Sequence, residues 1–171
     1  MNSLKQTKSP SATAGPASLL FIISLIISMI GIFAGIFFLF VNPGTAIVVV
    51  TLLLVSGVGI LSFLRHSVYY RSDQARMGWS QEHPEFQIEV GFANLAIGLA
   101  ALIAIVLNMG PLAYGMALLT YALYLLCTLV LHAWEAMYSK EMRKRAVQST
   151  FNTGLFTLFL LLFAVMAFMQ V

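Results

Sequence analysis

The sequence predicts an all-α integral membrane protein, a bundle of five transmembrane helices with a cytoplasmic amino terminus. Of the 171 residues, 60% are hydrophobic and 9% are charged, whereas soluble domains carry roughly a quarter charged residues. Five apolar runs are each long enough to cross a hydrocarbon core about 30 Å thick. All nine Lys and Arg residues fall in three polar segments that these runs place on one side of a membrane. Because cytoplasmic loops retain Lys and Arg, that side is expected to be the cytoplasm.

The elements follow from run length and composition. Residues 1–16 are rich in Ser, Thr, Pro and Gly, and are expected to be a disordered cytoplasmic tail. Residues 17–171 are expected to form one transmembrane domain, because their short connections leave no room for a separate globular module. The predicted spans are about residues 17–41, 45–64, 86–107, 112–138 and 151–171.

The connections support these boundaries. The first run is longer than the apolar region of a signal peptide, about 7–15 residues, and is interpreted as a retained anchor helix. Asn42-Pro43-Gly44 predicts a tight turn, so that the second span returns antiparallel to the first. Pro84 predicts a break before the third span. Whether residues 65–78 continue the second helix is left open by the pattern.

Small residues in the first span mark a packing face. They recur at steps of four, three and four, and this spacing lets helix backbones approach closely. The members of this face are Ser24, Ser28, Gly31 and Gly35. The face is expected to pack against another helix or another subunit.

The third span carries two small faces, which indicates a central position in the bundle. One face consists of Glu89, Ala93, Ala96 and Ala100. The other consists of Gly91, Asn94, Gly98 and Ala101. The fifth span is almost wholly apolar after Thr157, and is expected to be peripheral and lipid-facing.

Polar side chains form a seam along the fourth predicted span, where they fall near one side at about 100° per residue. The seam consists of Tyr114, Tyr121, Tyr124, Thr128, His132, Glu135 and Ser139. Hydroxyl groups in hydrocarbon need partners, so the seam is expected to face the bundle interior or a water-filled cavity. Hydrogen bonds between helices would explain it, and so would a proton or substrate path.

Ionisable side chains concentrate at the predicted cytoplasmic end, which makes that end the candidate site of any acid-base or metal chemistry. An ionisable group within a span is costly unless it is paired or hydrated. The candidate buried polar cluster consists of His66, Tyr70, Asp73, Glu89, Asn94, His132 and Glu135.

Four interpretations of that cluster remain open at this point. His132-x-x-Glu135 has the spacing of a helix-bundle metal site, but only one such pair occurs. His66 and His132 could ligate a haem. Glu89, His132 and Glu135 could form a proton relay for transport or quinone chemistry. Alternatively, one of Arg65, Arg71 and Arg76 pairs with Glu89 or Glu135 and only locks the helix ends. No cofactor is therefore assigned.

Two compositional features limit the remaining chemistry. Cys127 is the only cysteine, which excludes an intramolecular disulfide or a thiolate metal cluster. The basic residues are explained by membrane topology, so no nucleic-acid partner is expected. The expected partners are the lipid bilayer and either further copies of the chain or a larger membrane complex.

The polar segment between the second and third spans, together with the start of the third span, has a distinctive sequence. Residues 71–79 read RSDQARMGW and residues 84–96 read PEFQIEVGFANLA. Over residues 65–98 the chain resembles a family of uncharacterised bacterial integral membrane proteins, a domain of unknown function. The residues that match the recurring pattern are Asp73, Gln74, Trp79, Glu89 and Asn94. The resemblance implies a small multi-spanning inner-membrane protein and no particular activity.

The leading functional hypothesis is a non-enzymatic accessory or scaffold subunit of a membrane assembly. The alternative is a redox, metal- or quinone-linked membrane enzyme, or a proton-coupled carrier, using Glu89, His132 and Glu135. No sequence motif indicates a particular reaction, so the sequence does not decide whether the protein is an enzyme.

Overall fold

The computed structural model describes residues 15–77, 83–138 and 143–171, with the side chains of residues 135–136 and 143–146 outside the description. Most of the predicted tail lies outside these residues, as do Trp79, Ser139 and the side chain of Glu135. The described residues are helical apart from short connections and contain no strand, which confirms the predicted all-α fold.

Five helices are long and apolar enough to cross a membrane, as predicted. They are Gly15–Val41, Pro43–Val68, Glu85–Val106, Pro111–Trp134 and Val147–Phe168. The first is α1 (Gly15–Val41). The last three lie within α5 (Glu85–Val106), α6 (Pro111–Tyr138) and α7 (Arg143–Phe168).

The second span is not a uniform α-helix. It contains α2 (Pro43–Val50), a π-helical segment Thr51–Gly57, α3 (Val58–Phe63) and a second π-helical segment Leu64–Val68. Asn42 separates it from α1 because its backbone is extended, with φ −156° and ψ 99°. The Asn42 side chain then accepts a hydrogen bond from the Thr45 amide at 3.1 Å, which caps α2.

The structure answers the open question about residues 65–78 over the part that it describes. Residues 65–68 continue the second span, and Tyr69 ends it with φ −106° and ψ 32°. A separate helix, α4 (Tyr70–Met77), follows. It packs beside α1, where the Ala17 amide donates a hydrogen bond to Ser72 Oγ at 3.1 Å.

The small face of α1 packs inside the protein. Ser24, Gly31 and Gly35 are buried and Ser28 is half-buried. A Cβ atom added at Gly31 would overlap the Leu54 side chain, and one added at Gly35 would lie 2.5 Å from Val50 Cγ2. The face therefore contacts the second span of the same chain.

The core lies between the second span, α6 and α7, and α6 packs most extensively against α7. Leu54, Leu118 and Phe163 are fully buried there. The fifth span was expected to be peripheral, yet its Leu160 and Phe163 side chains belong to the core, while Leu155 and other residues of its opposite face are exposed. Lipid tails and protein cores are equally apolar, so composition alone does not separate the two faces.

Candidate functional site

The main buried polar cluster lies where the end of the second span meets α1, α4 and α5. Its centre is Asp73, whose side chain is 0% exposed. Arg65 and His66 belong to the second π-helical segment, Asp73 and Arg76 to α4, and Gln87 to the first turn of α5. We refer to these five residues as the Asp73 cluster.

Four side chains contact the Asp73 carboxylate. Arg76 donates from Nε and Nη2 to Oδ1 at 3.0 and 2.9 Å, and Arg65 Nε lies 3.6 Å from the same oxygen. Gln87 Nε2 donates to Oδ2 at 3.2 Å, and His66 Nδ1 lies 2.8 Å from Oδ2. Both carboxylate oxygens therefore face donors from three helical elements, which ties those elements together.

The neighbours of His66 determine its protonation. Arg65 Nη2 lies 3.1 Å from His66 Nε2, and a guanidinium can only donate hydrogen bonds. Nε2 must therefore accept, so the single ring proton is on Nδ1 and faces Asp73. The Nδ1 atom lies 2.8 Å from Asp73 Oδ2, so its proton is directed at the carboxylate. His66 is thus neutral and lies between the Arg65 guanidinium group and the Asp73 carboxylate.

The cluster contains more positive than negative charge. Burial of the carboxyl favours its neutral form, but His66, Arg65 and Arg76 outweigh burial and hold the pKa of Asp73 below its ordinary value. Asp73 is therefore ionised and balances one of the two guanidinium groups. Both guanidinium groups also lie over the Phe21 ring, 5.5 Å from its centroid for Arg65 and 4.6 Å for Arg76.

Two amide atoms beside this network are buried without a hydrogen-bond partner among the described residues. Gln87 is 5% exposed, and its Oε1 atom has no donor although its Nε2 atom contacts Asp73. The Nε2 atom of Gln74 is also buried without an acceptor. Buried polar groups are normally paired, so these two atoms are exceptions within the described part of the chain.

A second polar network joins α5 to α6. Asn94 Nδ2 donates to the Tyr124 hydroxyl at 3.0 Å and to the Val90 carbonyl at 2.8 Å. The Tyr121 hydroxyl donates to Asn94 Oδ1 at 3.4 Å. Asn94 thus lies between the two tyrosines of the predicted seam.

The other described hydroxyl groups of the predicted seam also have partners inside the protein. Tyr114 donates to Asn108 Oδ1 at 3.2 Å, and Thr128 donates to the Tyr124 carbonyl of its own helix at 3.1 Å. Hydrogen bonds within the protein therefore account for the described hydroxyl groups of the seam.

The structure brings together only part of the predicted cluster. His66 and Asp73 are in contact, and Asn94 belongs to the separate network with α6. Glu89 does not join either group, because its side chain is exposed. It lies on the opposite side of α5 from Gln87 and Gly91, which are buried.

Two further predicted members, Tyr70 and His132, have no described side-chain contact with Asp73. Tyr70 accepts a hydrogen bond from Arg71 Nε at 2.9 Å. His132 is half-buried on α6 and has an interaction of its own. The described contacts of Asp73 come from the second span, α4 and α5, and none comes from α6. The side chain of Glu135 lies outside the described residues.

Metal coordination has no donor set in the described part of the chain. No group of three or more His, Cys, Asp or Glu side chains converges there. Asp73 and His66 are the only two such residues in the Asp73 cluster, and arginine side chains surround them.

Sequence reasoning did not place Arg65, Arg76 and Gln87 together around Asp73. Arg76 is three residues after Asp73 on α4, a spacing that favours an ion pair on a helix. Gln87 precedes Gly91 by four residues and Asn94 by seven, so the three share the inward face of α5. That shared face is the signal that would have selected Gln87 over Glu89.

The comparisons with known proteins identify a family whose function is unknown. The model of a protein family described as a family of unknown function, DUF6790, matches residues 17–170. No curated protein and no solved structure matches the chain.

Proposed function

The chain belongs to the family of unknown function DUF6790, and from its own residues we propose that it is a non-enzymatic scaffold subunit of the cytoplasmic membrane. Its role is to hold a transmembrane helix, from a second copy or from a larger complex, against the outward face of α5. The observation that supports this proposal is the composition of that face.

Most side chains along the centre of the outward face of α5 are small. The residues of its central stripe are all exposed, and they are Glu89, Ala93, Ala96 and Ala100. Larger exposed side chains, including Phe92, Leu99 and Ile103, lie along one edge of this stripe. The three alanines lie at steps of three and four, a spacing of small residues that forms a groove in which another helix can approach closely. We refer to these four residues as the α5 stripe.

The outward face of α1 has a different composition. Its exposed residues are mostly large, for example Ile26, Ile30, Phe33 and Phe37. Large apolar side chains suit contact with lipid tails, whereas helix association in membranes depends on close packing of small residues. The α5 stripe is therefore the face whose composition favours a protein neighbour.

The buried polar groups support a structural role over a catalytic one. Asp73 is surrounded by donors from its own chain, and the described hydroxyl groups of the α6 seam have partners inside the protein. The alternative, a redox, metal- or quinone-linked enzyme or a proton-coupled carrier, needs Glu89 near His132 and Glu135. The outward position of Glu89 opposes that arrangement.

Location in the cytoplasmic membrane is part of the proposal. Five apolar helices suit a multi-pass protein. The positive residues then place the amino terminus and the Asp73 cluster on the cytoplasmic side.

Site-specific photo-crosslinking in the native membrane tests the proposal. A photo-reactive amino acid replaces Ala96 in the α5 stripe, and in a matched control it replaces Cys127, which is exposed on α6. We expect a discrete protein adduct from position 96 and lipid adducts only from position 127. The mass of the adduct identifies either a second copy or a different subunit.

A substitution in the same stripe supplies the second measurement. Ala100→Leu fills the groove and is expected to abolish the adduct from position 96, whereas Cys127→Leu adds similar bulk elsewhere and is expected to leave it unchanged. Lipid adducts alone from position 96, or equal loss with both leucine variants, would contradict the scaffold role.

A further inference from the structure

We propose that the Asp73 cluster is a binding site for an anionic phosphate group, in which Arg65 and Arg76 hold the phosphate of a phospholipid headgroup or a free phosphate ion. The site is independent of the α5 stripe and of any scaffold role.

The Asp73 cluster contains more positive than negative side chains. Two guanidinium groups share one carboxylate, and His66 contributes a neutral ring because its Nε2 atom accepts from Arg65. Among the acidic side chains that the structure describes, Asp73 alone contacts either guanidinium group; Glu85 lies beside His83 at 3.8 Å. Counted over the described side chains, the cluster therefore carries one excess positive charge at the boundary of an apolar bundle. An excess charge in such surroundings is costly unless an anion accompanies it.

The two arginines of the cluster also have hydrogen-bond donors that the described contacts do not use. A guanidinium group has five N–H bonds. Arg76 directs Nε and Nη2 at Asp73, while Arg65 directs Nε toward Asp73 and Nη2 toward His66. The Nη1 groups of both arginines have no described hydrogen-bond partner, so they remain available for phosphate oxygens, which match the guanidinium fork.

The arginine side chains are also partly exposed, whereas the carboxylate is not. The Arg65 and Arg76 side chains are 14% and 22% exposed, and Asp73 is 0% exposed. An anion at this site would therefore meet the arginines and not the carboxylate. Their common position over Phe21 holds both groups at the same edge of the bundle.

The Gln87 side-chain carbonyl oxygen also has no described hydrogen-bond partner. Gln87 is 5% exposed, and this Oε1 atom belongs to the same amide group whose Nε2 atom donates to Asp73 at 3.2 Å. This oxygen needs a hydrogen-bond donor, which a phosphate diester lacks but a headgroup hydroxyl supplies. The buried Gln74 Nε2 atom is an unpaired donor on the adjacent helix. A hydroxyl-bearing anionic headgroup, such as that of phosphatidylglycerol, provides both kinds of partner.

The position in the fold suits a lipid headgroup. The cluster lies at the end of the spans that carries the basic residues, where anionic lipids accumulate beside cytoplasmic Lys and Arg. Arg65 and His66 come from a π-helical segment, a rare conformation that is frequent at functional sites.

The full chain in phosphatidylcholine nanodiscs provides the first test. Native mass spectrometry measures retention of added phosphatidylglycerol, and thermal unfolding measures stabilisation by dioctanoyl phosphatidylglycerol or by inorganic phosphate at equal concentration. Retention and stabilisation by the lipid alone would identify a headgroup site. Stabilisation by both would identify a site for phosphate from either source. Absence of retention and of stabilisation by either probe would overturn the proposal.

Matched charge variants locate the site. Arg76→Gln and Arg71→Gln remove the same charge from α4, but Arg71 is exposed and contacts Tyr70 instead of Asp73. Loss of a charge-assisted hydrogen bond predicts about tenfold weaker binding for Arg76→Gln and little change for Arg71→Gln. Equal weakening in both variants would indicate general surface attraction and overturn the assignment. Arg76→Lys, which keeps the charge without the planar fork, replaces Arg76→Gln if the latter fails to fold.

Discussion

Alanine at Gly59 is expected to force apart the second span and α5. A Cβ atom at this position would lie 2.8 Å from the Asn94 carbonyl oxygen and 3.2 Å from Gly98 Cα, whereas ordinary contacts are 3.4–4 Å. Both neighbours are backbone atoms of α5, which cannot rotate away as a side chain can. The helices must therefore separate by about half an ångström to restore a normal contact distance.

The energetic cost can be estimated from this overlap. Overpacking by one methyl group typically costs about 1–3 kcal/mol, while Gly→Ala in a helix contributes up to about 1 kcal/mol of stabilisation. Separation of the helices also lengthens the hydrogen bond that Ser56 Oγ donates to the Gly98 carbonyl at 2.9 Å. Gly57 is a matched control, because its Cβ would meet only ordinary contacts at 3.5 Å. We expect Gly59→Ala to be less stable than Gly57→Ala by about 1–3 kcal/mol.

The assay is equilibrium unfolding of the purified chain in mixed micelles, followed by far-ultraviolet circular dichroism. Comparing the two alanine variants cancels most of the difference in helix propensity, so the remaining difference reports the contact with α5. Equal free energies of unfolding for Gly57→Ala and Gly59→Ala would refute the argument that α5 approaches Gly59 at backbone distance.

Two further predictions concern charge and orientation. Because the folded-state pKa of Asp73 is lowered, its stabilisation is present above its ordinary pKa of about 4 and is lost as the pH falls below that value. Asp73→Asn should lower the free energy of unfolding by about 3 kcal/mol near neutral pH, and it should flatten the fall of the melting temperature at acid pH. Glu85→Gln, at an exposed position, should retain that fall. An unchanged fall in Asp73→Asn would contradict this assignment. In a Cys127→Ser background, a membrane-impermeant maleimide added to intact cells should label Met109→Cys but label His83→Cys only after permeabilisation. The reverse labelling pattern would show that the proposed orientation is wrong.

The five spans were predictable because each requires only a long apolar run, and turn residues separate the first two. Asn42, for example, caps α2 as the turn at residues 42–44 implies. The π-helical segments were not predictable. They depend on a shift of the backbone hydrogen bonds, which leaves no regular mark on hydrophobic periodicity.

The candidate site was less predictable because two faces of α5 look alike in sequence. One begins near Glu89 and the other near Gln87, and both continue with small residues. The choice depends on contacts with the second span, where Gly98 meets the backbone at Gly59. That contact turns Gln87 toward Asp73 and Glu89 outward, and it becomes visible only once the helices are assembled.

Folding gives Arg65 and Arg76 a second use after membrane insertion. In the proposed orientation, these residues contribute during insertion to the positive charge that retains the connection between the second and third spans on one side. Once α5 arrives with Gln87, the same side chains contact Asp73 at the junction of three helical elements. Moving this connection across the bilayer would then require breaking the Asp73 contacts as well as transferring the charges. In the proposed orientation, the Asp73 contacts therefore act together with the positive charge to keep this connection on one side of the membrane.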